Sequence, residues 1–80
     1  MFKVYVIHSP ASGKIYVGFT ADLEKRMLSH NKLGIKGWTI KFRPWSIILT
    51  EEFSNKAEAM KREKQLKSYQ GRIFIRSLIN

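Results

Sequence analysis

From Lys3 to His8 apolar side chains alternate weakly, Val4 and Val6 against Tyr5 and Ile7. The pattern predicts a strand covered on both faces. Ser9-Pro10-Ala11-Ser12-Gly13 is a turn cluster, and a second β-rich run follows from Ile15 to Phe19. Together they predict an antiparallel hairpin with a loop of about five residues. At Thr20 the period lengthens: Leu23, Met27, Leu28 and His30 fall at helical spacing, with Thr20 as cap and Asp22 and Glu24 in the first turn. This helix is expected to stop between Asn31 and Gly34, on a residue that tolerates a left-handed backbone. Gly34 to Pro44 reads as a basic loop bearing Trp38, and Trp45 to Phe53, with Ile47, Ile48 and Leu49, as a third strand. Ser54 is placed to cap a second helix running to about Lys67, with Ala57, Met60 and Leu66 as its apolar stripe. Gly71 is expected to break it before a last helix, Ile73 to Ile79, packed through Ile73, Ile75, Leu78 and Ile79. The order ββαβαα predicts an α/β (α+β) fold, a small three-stranded antiparallel sheet flanked by helices.

Composition narrows the picture. Eighty residues accommodate one domain, taken as 1–80, and a 44% hydrophobic content suffices for one core. Apolar runs reach only about four residues, against about 20 needed to cross a bilayer, so no membrane span is expected. There is no cysteine, which excludes a disulfide framework, a thiolate zinc site and a cysteine nucleophile. The strand-like opening Met1-Phe2-Lys3-Val4-Tyr5 does not read as a signal peptide, and a cytoplasmic setting is expected. Fifteen Lys+Arg against six Asp+Glu give a net charge of +9, which favours polyanionic partners, nucleic acid first and anionic membrane surface second.

Four features carry candidate chemistry. Tyr5 and Tyr16 lie on adjacent predicted strands, where a hairpin can converge their hydroxyls, and Gly18 permits a close approach. Taken alone, tyrosines in strands are ordinary packing. Arg26 and His30 are spaced i, i+4 on the helix face that carries Leu23 and Met27. An arginine there can fork onto a phosphate, and a histidine can exchange a proton near neutrality, although each is more often structural. Glu58, between Ala57 and Ala59, suits a hard divalent cation or else an i, i+4 pair with Arg62. Glu63 with Lys67 reads as such a pair and nothing more. Basic side chains crowd the last third (Lys56, Lys61, Arg62, Lys64, Lys67, Arg72, Arg76) and the mid-chain loop (Lys32, Lys36, Lys41, Arg43). They form either a solvated face or a phosphate-tracking surface, for which Lys36, Lys41, Arg62, Lys64, Lys67 and Arg72 are the expected contacts. His8, Trp38 and Trp45 are each core or substrate-facing, with Trp45 read as core.

In order and spacing, Val4-Tyr5-Val6-Ile7, Lys14 to Thr20, Asp22 to Arg26, His30-Asn31, Pro44-Trp45 and Glu58-Ala59 through Lys67 resemble the GIY-YIG nuclease domain. The likeness spans essentially the whole chain and is nearest to small stand-alone bacterial members related to the nuclease domain of the excision-repair subunit. It implies metal-dependent hydrolysis of DNA phosphodiesters with one Mg²⁺ or Mn²⁺, and by extension structure-selective action in repair or recombination. It also implies roles: Tyr5 and Tyr16 as the motif tyrosines, Arg26 on phosphate, His30 in proton transfer and Glu58 as metal ligand. Which of Tyr5, Tyr16 and His30 is the general base stays open, because a tyrosine base needs its pKa lowered from about 10. The chain departs from the pattern in Lys3-Val4-Tyr5, which lacks the motif's glycine and isoleucine, and in Tyr16-Val17-Gly18. Gln70 stands where several members place an asparagine. The alternative is a catalytically weak nucleic-acid-binding module of the same fold, recruited by a partner protein. A partner is equally a possible source of specificity for the nuclease, and the oligomeric state is left open.

Overall fold

The computed structural model describes residues 1–34 and 38–79. Strands β1 (Phe2–Ser9), β2 (Lys14–Thr20) and β3 (Ser46–Phe53) form one antiparallel sheet in the order β2-β1-β3. Three α-helices, α1 (Leu23–Leu28), α2 (Lys56–Lys67) and α3 (Tyr69–Ile79), complete the expected ββαβαα order. Between α1 and β3 the chain makes a π-helical turn, Ser29–Leu33, and a 3-10 turn, Trp38–Phe42. No described helix is long and apolar enough to cross a membrane.

The period-2 alternation of β1 decides the layering, because successive side chains leave opposite faces of a strand. Val4 and Val6 join Val17, Ala59, Leu66 and Ile75 in a core beneath α2 and α3. Tyr5 and Ile7 join Trp45 on the other face, with Tyr16, Leu23, Met27 and Phe42 packed against them. Both faces of the central strand are therefore covered, as its near-continuous apolar run requires. A bulge opposite Val6 and Ile7 lets Ile48 join Leu49 on the helix-packed face.

The helix ends differ from expectation in instructive ways. Asp22, not Thr20, caps α1: its Oδ1 accepts from the Lys25 amide, while Thr20 is still in the strand and bonds the Asp22 backbone. Asn55, not Ser54, caps α2 through Oδ1 to the Glu58 amide. The first helical segment does not end on a left-handed residue. Gly34 is extended (φ −67°, ψ 136°), and Arg43 reaches in to bond the carbonyls of Ser29, His30 and Gly34. Nor does Gly71 break the chain. The break is the extended Ser68, and Gly71 sits within α3, where a Cβ would run into Gln65 O and Leu66 Cα. Of the four residues expected to pack α3, Ile75 and Ile79 do so, while Ile73 and Leu78 remain about half exposed.

Candidate active site

Tyr5 and Tyr16 are diagonal partners, because Tyr5 lies opposite Gly18 and Tyr16 opposite Ile7. Their rings are 6.2 Å apart on one face of the sheet. Gly18 makes this possible: a Cβ there would stand 2.7 Å from Tyr5 Oη, so the bare backbone lets the phenol cross β2. The Tyr5 hydroxyl bonds His30 Nε2 at 2.9 Å and accepts from Arg26 Nε at 3.4 Å. His30 Nδ1 lies 2.9 Å from Thr39 Oγ1. Arg26 can only donate; in the Nδ1–H tautomer of His30 the Tyr5 proton goes to Nε2 and Nδ1–H to Thr39. The result is a chain of donations from Arg26 through Tyr5 and His30 to Thr39.

Burial pushes the Tyr5 hydroxyl up from its ordinary pKa, against the opposing pull of the Arg26 hydrogen bond. Tyr5 and His30 are both buried. His30 is held down, first by burial and then by the charges of Arg26 and Arg43, so it is neutral near pH 7. With both ring nitrogens occupied, it orients Tyr5 and is not itself presented to substrate. Tyr16 is only partly buried. Its ring meets the edge of His30 at 5.0 Å and lies against Trp38 at 6.5 Å. Arg26 is exposed and faces both tyrosine hydroxyls, which raise its own pKa.

Glu58 and Glu63 occupy different faces of α2. Ala59 and Leu66 are buried against the sheet, and Glu63, four residues beyond Ala59, shares that stripe. Its side chain is 21% exposed and pairs with Lys67 at 3.4 Å. Among the described residues, Glu63 is the carboxylate whose charge acts on Tyr5, raising its pKa. Glu58 is exposed, three residues after the Asn55 cap, where a carboxylate complements the helix N-terminus. Glu63 thus forms the expected helix pair with Lys67 and also lies on the stripe of Ala59 and Leu66. The described residues gather no group of three or more acidic, histidine or cysteine side chains. One carboxylate with open water positions is still a donor set that suits Mg²⁺ or Mn²⁺, so the residues present fit a hard cation.

The basic surface divides. Arg62 makes two bonds to Glu51, at 2.7 and 3.1 Å, rather than the alternative i, i+4 pair with Glu58. Arg43 is spent on three carbonyls, Lys67 on Glu63, and Arg72 on the Lys67 carbonyl. Lys41 and Lys64 are exposed. Lys36 lies outside the described residues. Gln70 is exposed on α3, in a groove with Arg62, Gln65 and Phe74, away from the tyrosines. Thr39, Arg43 and Asn31 were not singled out for this site. Asn31 exchanges two hydrogen bonds with the Trp45 backbone and so ties the π-helical turn to β3.

Comparison with known proteins agrees with this arrangement. The family model described as the GIY-YIG catalytic domain matches residues 1–74. The chain belongs to the GIY-YIG family. GIY-YIG domains are nuclease-type catalytic domains that generally act on DNA with a divalent metal. Similar chains include UPF0213 protein SSP2268 of Staphylococcus saprophyticus, 33% identical over 82% of this chain and 79% of its own length. UPF0213 protein VNG_2274C of Halobacterium salinarum is 37% identical over 84% and 86%. The solution NMR structure of UPF0213 protein BH0048 from Bacillus halodurans matches with a TM-score of 0.57 and 27% identity, covering 98% of this chain and 85% of that one.

Proposed function

We propose that this GIY-YIG domain is a divalent-metal-dependent endonuclease that hydrolyses DNA phosphodiesters, with Mg²⁺ or Mn²⁺ held by Glu63. The observation that carries the reading is a single convergence. Arg26 stands over the hydroxyls of Tyr5 and Tyr16.

Each side chain then has a task that its environment supports. Arg26, exposed and always charged, stabilises negative charge on the non-bridging phosphate oxygens as it develops. Tyr5 is buried between Arg26 and His30, so it orients the arginine and does not meet the attacking water. Tyr16, the partly exposed tyrosine, is the one placed to line up that water. His30 and Thr39 fix the Tyr5 proton in one direction. When bound, the cation supplies Lewis-acid stabilisation of the phosphate and of the leaving oxygen.

The test is cleavage of labelled single-strand, duplex, flap and junction DNAs with Mg²⁺, Mn²⁺ or EDTA. Wild type is expected to cut only with metal, and Glu63→Gln to lose roughly a hundredfold or more, while Glu58→Gln stays within a few fold. Loss in Glu58→Gln alone would return the metal to Glu58. Binding without cutting on every substrate would make the domain a recruited binding module.

A further inference from the structure

Trp38 is the large aromatic side chain of this site that the core does not absorb. It is 45% exposed, whereas Trp45, whose ring lies 5.8 Å away, is 4% exposed and donates its Nε1–H to the Thr39 carbonyl. Trp38 is also fixed from several sides. Phe42 meets it at 4.9 Å, and the Tyr16 ring lies against it at an interplanar angle of 28°. The Lys14 ammonium sits 5.8 Å from the centre of the Phe42 ring, which sets a cation at the rim of the cluster. A fixed indole that is nearly half exposed, continuous with Tyr16 of the candidate site and bordered by a cation, has the composition of a nucleobase platform.

We infer that Trp38 stacks an unpaired base of the strand that is cut, so that the site takes single-stranded or locally unpaired nucleic acid. The inference rests on the endonuclease reading and adds a substrate class to it. In a duplex each base is already stacked on its neighbours and presents no free face unless it is flipped out. The stack is tolerant of base identity, because every base has a π-face.

Binding is measured in EDTA, so that its result is independent of cleavage. The probes are a labelled single-stranded DNA, its RNA counterpart, an abasic DNA of the same length, and the matching duplex. The single strands are expected to quench tryptophan emission in wild type. Trp38→Leu keeps apolar bulk without a ring and is expected to lose about tenfold or more in single-strand affinity, with duplex affinity unchanged. Trp38→Tyr should restore the affinity while abolishing the quenching. Should Trp38→Leu not fold, the abasic strand and Trp38→Tyr decide. Equal weakening on single strand and duplex, or abasic DNA bound as tightly as the natural strand, would overturn the inference. Whether DNA or RNA quenches more strongly identifies the natural strand. A protein that quenches as expected yet cuts nothing would reject the nuclease reading and leave the platform standing.

Discussion

His30 has Tyr5 Oη on one ring nitrogen and Thr39 Oγ1 on the other, both at 2.9 Å, with burial first and then two arginines disfavouring a charge. The folded protein therefore takes up a proton here less readily than the unfolded chain, whose histidine titrates near 6.5. Between the two pKa values the unfolded state binds more protons, so stability is fully present above about 6.5 and falls as the pH drops below it. Urea unfolding from pH 8 to 5 is expected to show that decline in wild type and a flatter profile in His30→Gln. Parallel profiles would show that His30 is not the group responsible. The tyrosines, Arg26 and His30 were legible in the sequence because hairpin pairing and i, i+4 spacing are local rules. Glu63 was not. Its spacing to Lys67 describes a real ion pair, and only the burial of Ala59 and Leu66 shows that this pair also lies on the sheet-facing stripe.

Arg43 is one of the side chains that hold the described part of the segment between α1 and β3. A π-helical turn leaves its last carbonyls without intrahelical partners. Arg43 forks across the turn, bonding His30 O and Gly34 O at 2.6 Å and, at 3.0 Å, Ser29 O, which also accepts from the Gly34 amide. Hydrogen bonds to charged groups contribute about 1.5–3 kcal/mol, so Arg43→Leu is expected to destabilise by at least that much in denaturant titration. Arg43→Lys should recover only part, because one ammonium cannot span three carbonyls as a planar fork does; full recovery would reject the capping role. Elements like this explain what the sequence concealed. The strands were readable from alternation, and α2 from its period to within a residue of its cap. The helical stretch ends at Leu33, where a stop is expected, but on an extended Gly34 bonded by Arg43 and not on a left-handed residue, and Gly71 reads as a breaker unless the packing of α3 on the end of α2 is known.

Net charge overstates how many cations the whole molecule can offer a polyanion. Of 15 Lys+Arg, Arg43, Arg62, Lys67, Arg72 and Arg76 are all engaged with protein acceptors. Arg62 and Lys64 are two residues apart on α2 and identical in formal charge, yet they differ in this respect. Arg62 is held by Glu51 across to β3, whereas Lys64 is exposed. Each phosphate neutralised contributes about 0.7 to the log–log salt slope of single-strand binding, and about 0.9 for duplex. Contact with three to five phosphates would give a slope of roughly −2 to −4 on single strands. Lys64→Ala is expected to lower the slope by about 0.7 with stability unchanged. Arg62→Ala is expected to leave the slope unchanged and reduce stability, because it strands Glu51 at the junction of β3 and α2. Affinity against salt and urea midpoints, measured on both variants, separate the two roles. If Arg62→Ala flattens the salt response as much as Lys64→Ala does, the Glu51 pair opens when nucleic acid binds and Arg62 returns to the phosphate-tracking surface.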